Sequence, residues 1–367
     1  MKIGILTVPF NNNYGGFLQA FALKKVLMDM GHEVVIINRR RNKAKGLKEL
    51  LKRIFISCHL MRDKYAEKIE NISVYTNLFK TKYLEPITEE YYTTKELKRC
   101  LNLGINCFVV GSDQVWRYKY AKDSIDDFFF SFLKGTRIPR FSYAASMGTD
   151  EMEYPDEKLQ VCAELLKEFK VVSVREKSTS EILSEKFGYK NAEVVLDPTL
   201  LLSVDDYKLL FKNMRSSLEM PYVFTYILDE TEDKEDIIEH VLKKRDLIRV
   251  NMKAQTGNLS IMNVIEPVEQ WLSAIYYSDF VITDSFHGTI FSIIFSKPFI
   301  VIGNPQRGMA RMTDLLSRMS LESRLIMNVE DLDEKCDVNI DWEMVKMAIK
   351  TERTHSIGLI QEVLNNI

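Results

Sequence analysis

The sequence predicts an α/β protein made of two doubly wound, Rossmann-like domains facing a cleft. Two observations carry this expectation. Short, nearly continuous apolar runs alternate with helically spaced apolar residues, the pattern of parallel strands covered on both faces. The alternation also occurs in two consecutive series, separated by a linker-like stretch over residues 203–221. A length of 367 residues agrees, because domains commonly hold about 100–200 residues each. The expected boundaries are 1–202 for the first domain, 203–341 for the second and 342–367 for a closing segment.

The first series opens with residues 2–8, β-rich and almost wholly apolar, as for a strand buried on both faces. An Asn- and Gly-rich turn follows over 9–16. Residues 17–30 then place Leu18, Phe21, Ala22, Val26 and Leu27 at helical spacing, with Gly31 as the stop. Residues 33–38 are the second strand, completing a right-handed parallel βαβ unit. Further strands are expected at 106–110, 138–144, 171–174 and 193–196, with helices at 155–169 and 178–187. In the second series the strands are 222–228, 247–250, 280–283 and 298–302. Helices are expected there at 233–244, 268–277, 288–296 and 309–319. A last helix, 342–364, is a candidate to pack back onto the first domain.

Composition excludes several classes of protein. Hydrophobic residues at 46% and charged residues at 28% rule out a disordered or collagen-like chain. With 50 basic against 52 acidic side chains the net charge is -2, so no bulk positive field draws the protein to nucleic acid. Five cysteines (Cys58, Cys100, Cys107, Cys162 and Cys336) form no CxxC pair, which fits a reducing compartment better than a disulfide framework. The apolar stretch before Asn11 is too short and wrongly flanked for a signal peptide. The longest apolar region, 280–296, is broken by Asp284 and His287, whereas a spanning helix needs about 20 mainly apolar residues. A cytoplasmic protein is expected. Residues 39–53 hold eight basic side chains among fifteen, opposed only by Glu49, and Leu47, Leu50, Leu51 and Ile54 can line one side of a helix. Segment 39–54 reads either as a solvated loop or as a peripheral contact with the anionic inner face of a membrane.

The most informative run is 280–302. An apolar strand leads into Thr283, Asp284, Ser285, Phe286, His287, Gly288 and Thr289, and an apolar helix follows. The turn therefore lies at the carboxyl end of a parallel strand, where α/β proteins bind ligands. It also lies at a helix N-terminus, whose free N–H groups and dipole favour an anion. Gly288 permits close backbone approach, and Thr289 can cap the helix or donate to a phosphate. His287 is the candidate functional group, set against the plainer reading of a satisfied core histidine.

Three other strand ends are candidates. Arg175 with Glu176 is either a bidentate clamp for carboxylate or phosphate or an ion pair of little worth. In GSDQVW (111–116), Asp113 and Gln114 can hold sugar hydroxyls and Trp116 can stack on a sugar face; the competing reading is an Asp helix cap beside a core Trp. The small-residue run SYAASMG (142–148), with Ser146, also suits close ligand approach. The 11–16 loop, with Tyr14, Gly15 and Gly16, resembles a phosphate-cradling turn but lacks both GxGxxG and the P-loop Lys-Ser/Thr. No metal-ligand spacing occurs: His32, His59, His240 and His355 are far apart and HExxH is absent.

Taken together, NNNYGGFLQAFAL (11–23), FVVGSDQVW (108–116), SYAASMG (142–148), VVSVREKST (171–179), VVLDPTLL (194–201) and ITDSFHGTIFS (282–292) resemble the polysaccharide pyruvyl transferase family. The resemblance spans most of the chain, and the order and spacing of the six blocks is its specific feature. It implies a two-domain fold of the glycosyltransferase-B (GT-B) type. It also implies transfer of a pyruvyl group from phosphoenolpyruvate to a sugar, as a cyclic ketal on a cell-surface polysaccharide or its lipid-linked precursor. By motif, His287 and Arg175 match residues implicated in phosphoenolpyruvate binding and catalysis. Ser285 stands where some members carry arginine, two positions before the histidine, and Arg307 or Arg311 is the candidate replacement. The expected donor side is then Ser285, Phe286, Gly288, Thr289, Arg307 and Arg311. The expected acceptor side is Tyr14, Gly15, Gly16, Asp113, Gln114, Trp116 and Ser146. Phosphoenolpyruvate is the implied co-substrate, with no metal or organic cofactor. Two other readings stay open: a nucleotide-sugar glycosyltransferase of the same architecture, and a non-catalytic glycan-binding or assembly protein, which Ser285 favours.

Overall fold

Strands β1 (Lys2–Leu6), β2 (Glu33–Ile37), β3 (Cys107–Val110) and β4 (Arg140–Ser142) pair in parallel, in the order β2-β1-β3-β4. The computed structural model describes residues 1–10, 13–40, 68, 70–214, 220–253, 264–332 and 338–367. Single bridges from Asp113 to Ala145 and from Ala145 to Val174 carry the first sheet toward a short pair, β5 (Ser173–Val174) and β6 (Glu193–Val194). The second half contains β7 (Tyr222–Tyr226), β8 (Ile248–Asn251), β9 (Phe280–Thr283), β10 (Phe299–Ile302) and β11 (Leu325–Ile326). These form an all-parallel sheet in the order β11-β10-β9-β7-β8. The central strands β3, β9 and β10 are buried along their whole length, which is why they read as continuous apolar runs rather than alternating ones.

The longer helices cover these sheets: α1 (Tyr14–Asp29), α2 (Asp156–Leu166), α3 (Lys177–Lys186), α4 (Glu232–Arg245), α5 (Val268–Tyr277), α6 (Phe286–Ile294), α7 (Ala310–Arg318) and α8 (Trp342–Asn365). Two of them start earlier than their apolar spacing suggests, and capping is the reason. The Asn13 side chain accepts from the Gly15 N–H, so α1 begins at Tyr14. The Ser285 hydroxyl accepts from the Gly288 N–H at 3.3 Å, so α6 begins at Phe286 and His287 lies in its first turn. The linker-like stretch 203–221 also holds a short helix, Val204–Lys208, started by a reciprocal cap between Ser203 and Asp206.

The two halves meet through apolar packing. The Tyr14 ring stacks on Trp271 at 5.3 Å and lies 5.8 Å from the Tyr226 ring. Aromatic pairs of this kind contribute about 0.5–1.5 kcal/mol beyond their buried area, so the halves dock by more than charge. Helix α8 crosses back to the first half, where Ser356 accepts from the Leu196 N–H and Arg353 donates to the Leu200 and Leu202 carbonyls. Among the described residues no helix is long and apolar enough to cross a membrane. Residues 41–54 of the basic segment lie outside the described residues. Arg39 is buried on Asp127 at 2.8 Å, and the part-exposed Arg40 donates to the Phe10 carbonyl and pairs with Glu90.

Candidate active site

The carboxyl ends of both sheets converge on Arg175, Asp197 and His287. Arg175 follows β5 directly and is buried; its Nη1 donates to Asp197 Oδ2 at 3.1 Å, Nε to Glu176 Oε2 at 3.3 Å and Nη2 to the Ser146 hydroxyl at 3.2 Å. Burial works to lower the Arg175 pKa, but the charges of Glu176, Asp197 and Asp113 outweigh it and hold the pKa above its ordinary value. Asp197, just past β6, also accepts from the Ser112 hydroxyl and from the Thr199 N–H and hydroxyl. Burial alone would raise its pKa, yet His287, Arg175 and Thr199 together hold it far below the usual carboxylate range. Asp197 therefore stands as a fixed negative charge.

That charge faces His287 across the seam, with Asp197 Oδ2 at 3.6 Å from Nε2. The ring is 6% exposed, and Nε2 is buried without a hydrogen-bond partner. From the other side it packs on the first turn of α1, where a Cβ on Gly15 would stand 2.0 Å from Nδ1. Only glycine lets the two helix N-termini approach this closely around one imidazole. A buried, unsatisfied ring nitrogen calls for an explanation beyond packing.

A second unsatisfied group stands nearby. Arg311, in the first turn of α7, is 8% exposed and has no hydrogen-bond or ion-pair partner among the described residues. Its guanidinium lies 5.5 Å from the Phe286 ring centre, and that of Arg175 lies 4.3 Å from the same ring. Burial and the neighbouring Arg175 charge push the Arg311 pKa down to about 10. Arg175 thus has three carboxylates around it, while Arg311 feels the charges of Asp113 and Glu176 but contacts neither.

Beside this cluster opens a cavity of about 400 Å³, lined by Asn13, Gly16, Asp113, Gln114, Tyr120 and Arg307 among others. Arg307 reaches it while paired through two hydrogen bonds with Asp229, at 2.6 and 2.8 Å. That pairing, assisted by Asn304, holds the Asp229 pKa down to about 2. Asp284 anchors the base of the α6 turn, accepting from the Leu228 N–H, the Lys234 ammonium and the Asn304 amide.

The remaining expected residues fall in different places. Trp116 is fully buried, donates to the Phe128 carbonyl and stacks on Phe129 at 4.9 Å, so its ring belongs to the core and offers no face to a sugar. Tyr14 is an interface residue whose hydroxyl donates to the Glu266 carbonyl. Ser146 is buried between Glu176 and Arg175. Thr289 turns its hydroxyl onto the Ser285 carbonyl, and Gly288 sits against the Thr283 side chain. Ser285 is spent as a helix cap, and Phe286 is the platform between two arginines. Two residues at the site, Asp197 and Tyr120, carry no role in the sequence patterns above. For Asp197 a signal existed, namely a lone acid directly after the apolar run 194–196 and before Pro198. Tyr120 had none, because only the fold shows that it lines the cavity, 39% exposed, with Arg117 stacked on its ring at 5.0 Å. Among the described residues no group of three or more His, Cys, Asp or Glu side chains is placed to hold a metal ion.

Two parallel Rossmann-like sheets with their polar cluster at the facing carboxyl ends define a fold of the GT-B type. Solved structures agree. S. aureus MnaA with UDP superposes with a TM-score of 0.54 at 14% identity, covering 100% of this chain and 97% of that one. The UDP-GlcNAc 2-epimerase of Methanocaldococcus jannaschii with UDP-GlcNAc and UDP gives 0.50 at 10% identity, covering 96% and 99%. At such identities the likeness is one of fold. No curated protein matches the sequence at a significant level. The family model for polysaccharide pyruvyl transferases matches residues 13–306, and the chain belongs to that family of transferases.

Proposed function

We propose that the protein moves a pyruvyl group from phosphoenolpyruvate to hydroxyls of a sugar, on a cell-surface polysaccharide or its lipid-linked precursor, closing a cyclic ketal. One observation carries the donor assignment: a buried arginine with no ion-pair contact among the described residues, Arg311, in the first turn of α7 and 5.5 Å from the ring of Phe286, the residue before His287. Burial of a guanidinium with no ion-pair contact is unfavourable, and a bound anion offsets that cost. Phosphoenolpyruvate brings a phosphate and a carboxylate. Arg311 takes one of them, in place of the arginine that Ser285 replaces. Arg175, its charge already balanced by acids, holds Phe286 and Asp197 in position and adds a second positive edge.

In this reading His287 is the acid that protonates the methylene carbon, and ionised Asp197 is the counter-charge that an imidazolium needs. Thermal stabilisation by phosphoenolpyruvate, compared with uridine and guanosine diphosphate sugars, tests the donor. Stabilisation by the diphosphate sugars alone would replace this function with glycosyl transfer. Donor binding without phosphate release on addition of any glycoside would leave a binding protein.

A further inference from the structure

Among the described residues lining the 400 Å³ cavity, Asp113 is the single carboxylate. It is 5% exposed, yet neither carboxylate oxygen accepts a hydrogen bond among the described residues; its nearest charge is Arg175 Nη1 at 3.8 Å. Its backbone is fixed in the left-handed region at φ 69, and its carbonyl accepts from the Val115 and Ser146 N–H groups at 2.7 and 3.1 Å. The turn therefore holds the backbone and leaves the side chain at the cavity wall. Buried carboxylates normally collect several donors, and Asp197 and Asp284 nearby do so. Asp113 keeps its lone pairs for something else.

Position suggests what that is. Asp113 stands between the cavity and the arginine pair, and Gly16 on the same wall adjoins Gly15, on which the His287 ring packs. We propose that Asp113 is the base that takes the proton from the attacking acceptor hydroxyl, an inference that rests on the function proposed above. The hydroxyl oxygen bonds to C2 of phosphoenolpyruvate as His287 gives its proton to C3, and Asp113 takes the hydroxyl proton. The bond from C2 to the phosphate oxygen then breaks, its electron pair leaving with phosphate. The second hydroxyl closes the ketal at C2, and its proton leaves on the phosphate. Transfer of the proton on Asp113 back to His287 resets the site, so the two hydroxyl protons end on the new methyl group and on inorganic phosphate.

The test uses the whole protein, phosphoenolpyruvate and a panel of aryl and lipid-linked glycosides, with phosphate release as the rate. Asp113→Asn is expected to lose about 10²–10⁴-fold in turnover, the usual worth of a positioned base. It should bind phosphoenolpyruvate at least as tightly as the wild type, since a negative charge beside Arg175 is gone. Asp113→Gly suits the left-handed backbone, and added formate should restore part of its rate as an external base, which no purely structural role allows. A near-normal rate for Asp113→Asn, or no response of Asp113→Gly to formate, would overturn the assignment. If the wild type itself releases no phosphate with any glycoside, the proposed function falls first and takes this assignment with it.

Discussion

Replacing Arg311 with methionine should make the protein more stable and, at the same time, blind to its donor. Burial and the Arg175 charge depress the Arg311 pKa from 12.5 to about 10. At about 1.4 kcal/mol per tenfold change in proton affinity, that corresponds to roughly 3 kcal/mol of penalty held in the unliganded fold. The pKa is lower folded than unfolded, so the penalty is present in full below about pH 10 and relieved only as pH rises from there. Methionine keeps the apolar stem but loses the contact with the Phe286 face, so a net gain of about 1–3 kcal/mol is expected. In a thermal melt this is an upward shift of a few degrees, constant across the neutral range. Phosphoenolpyruvate at about 100 times its dissociation constant should add roughly 2.7 kcal/mol to the wild type and nothing to the variant. Arg311→Lys, which keeps the charge, should retain part of the ligand effect. A variant that melts below the wild type, or still responds to phosphoenolpyruvate, would refute the argument that Arg311 awaits an anion.

Other substitutions separate chemistry from packing. His287→Gln should lower turnover by about 10²–10⁴-fold with an unchanged melting curve, read by steady-state phosphate release. Gly15→Ala forces a methyl group to 2.0 Å from the imidazole; an overpacking cost of about 1–3 kcal/mol and a parallel fall in turnover are expected, measured by melting and kinetics together. Trp116→Ala should cost about 3–5 kcal/mol of stability, because the ring is core. Tyr120→Ala should leave stability alone and raise the acceptor KM by roughly 2–12-fold, the equivalent of one lost aromatic contact of about 0.5–1.5 kcal/mol.

Much of the architecture was legible because strands buried on both faces must be continuously apolar, and 107–110, 280–282 and 299–302 are. Helix starts were less so: apolar spacing marks the face of α1 and α6 but not the caps at Asn13 and Ser285, which depend on one side-chain hydrogen bond each. His287 and Arg175 stood out as charged or titratable groups at strand ends. Trp116 and Tyr120 show the limit. Both are aromatic, four positions apart on one stretch, and nothing local says that the first turns into the core while the second lines the cavity. Asp197 is marked in the sequence only as an acid after an apolar run, which does not give its role. Its importance comes from meeting His287 across the seam, a contact that no spacing within either half encodes.

Phosphoenolpyruvate is the donor proposed for the site of His287 and Arg311. The most direct test incubates wild-type protein with phosphoenolpyruvate and the glycoside panel, and compares phosphate released with pyruvyl ketal formed by mass spectrometry. One phosphate per ketal, abolished in His287→Gln and Arg311→Met, is the predicted result. Phosphoenolpyruvate left intact while a nucleotide diphosphate sugar is consumed would contradict it.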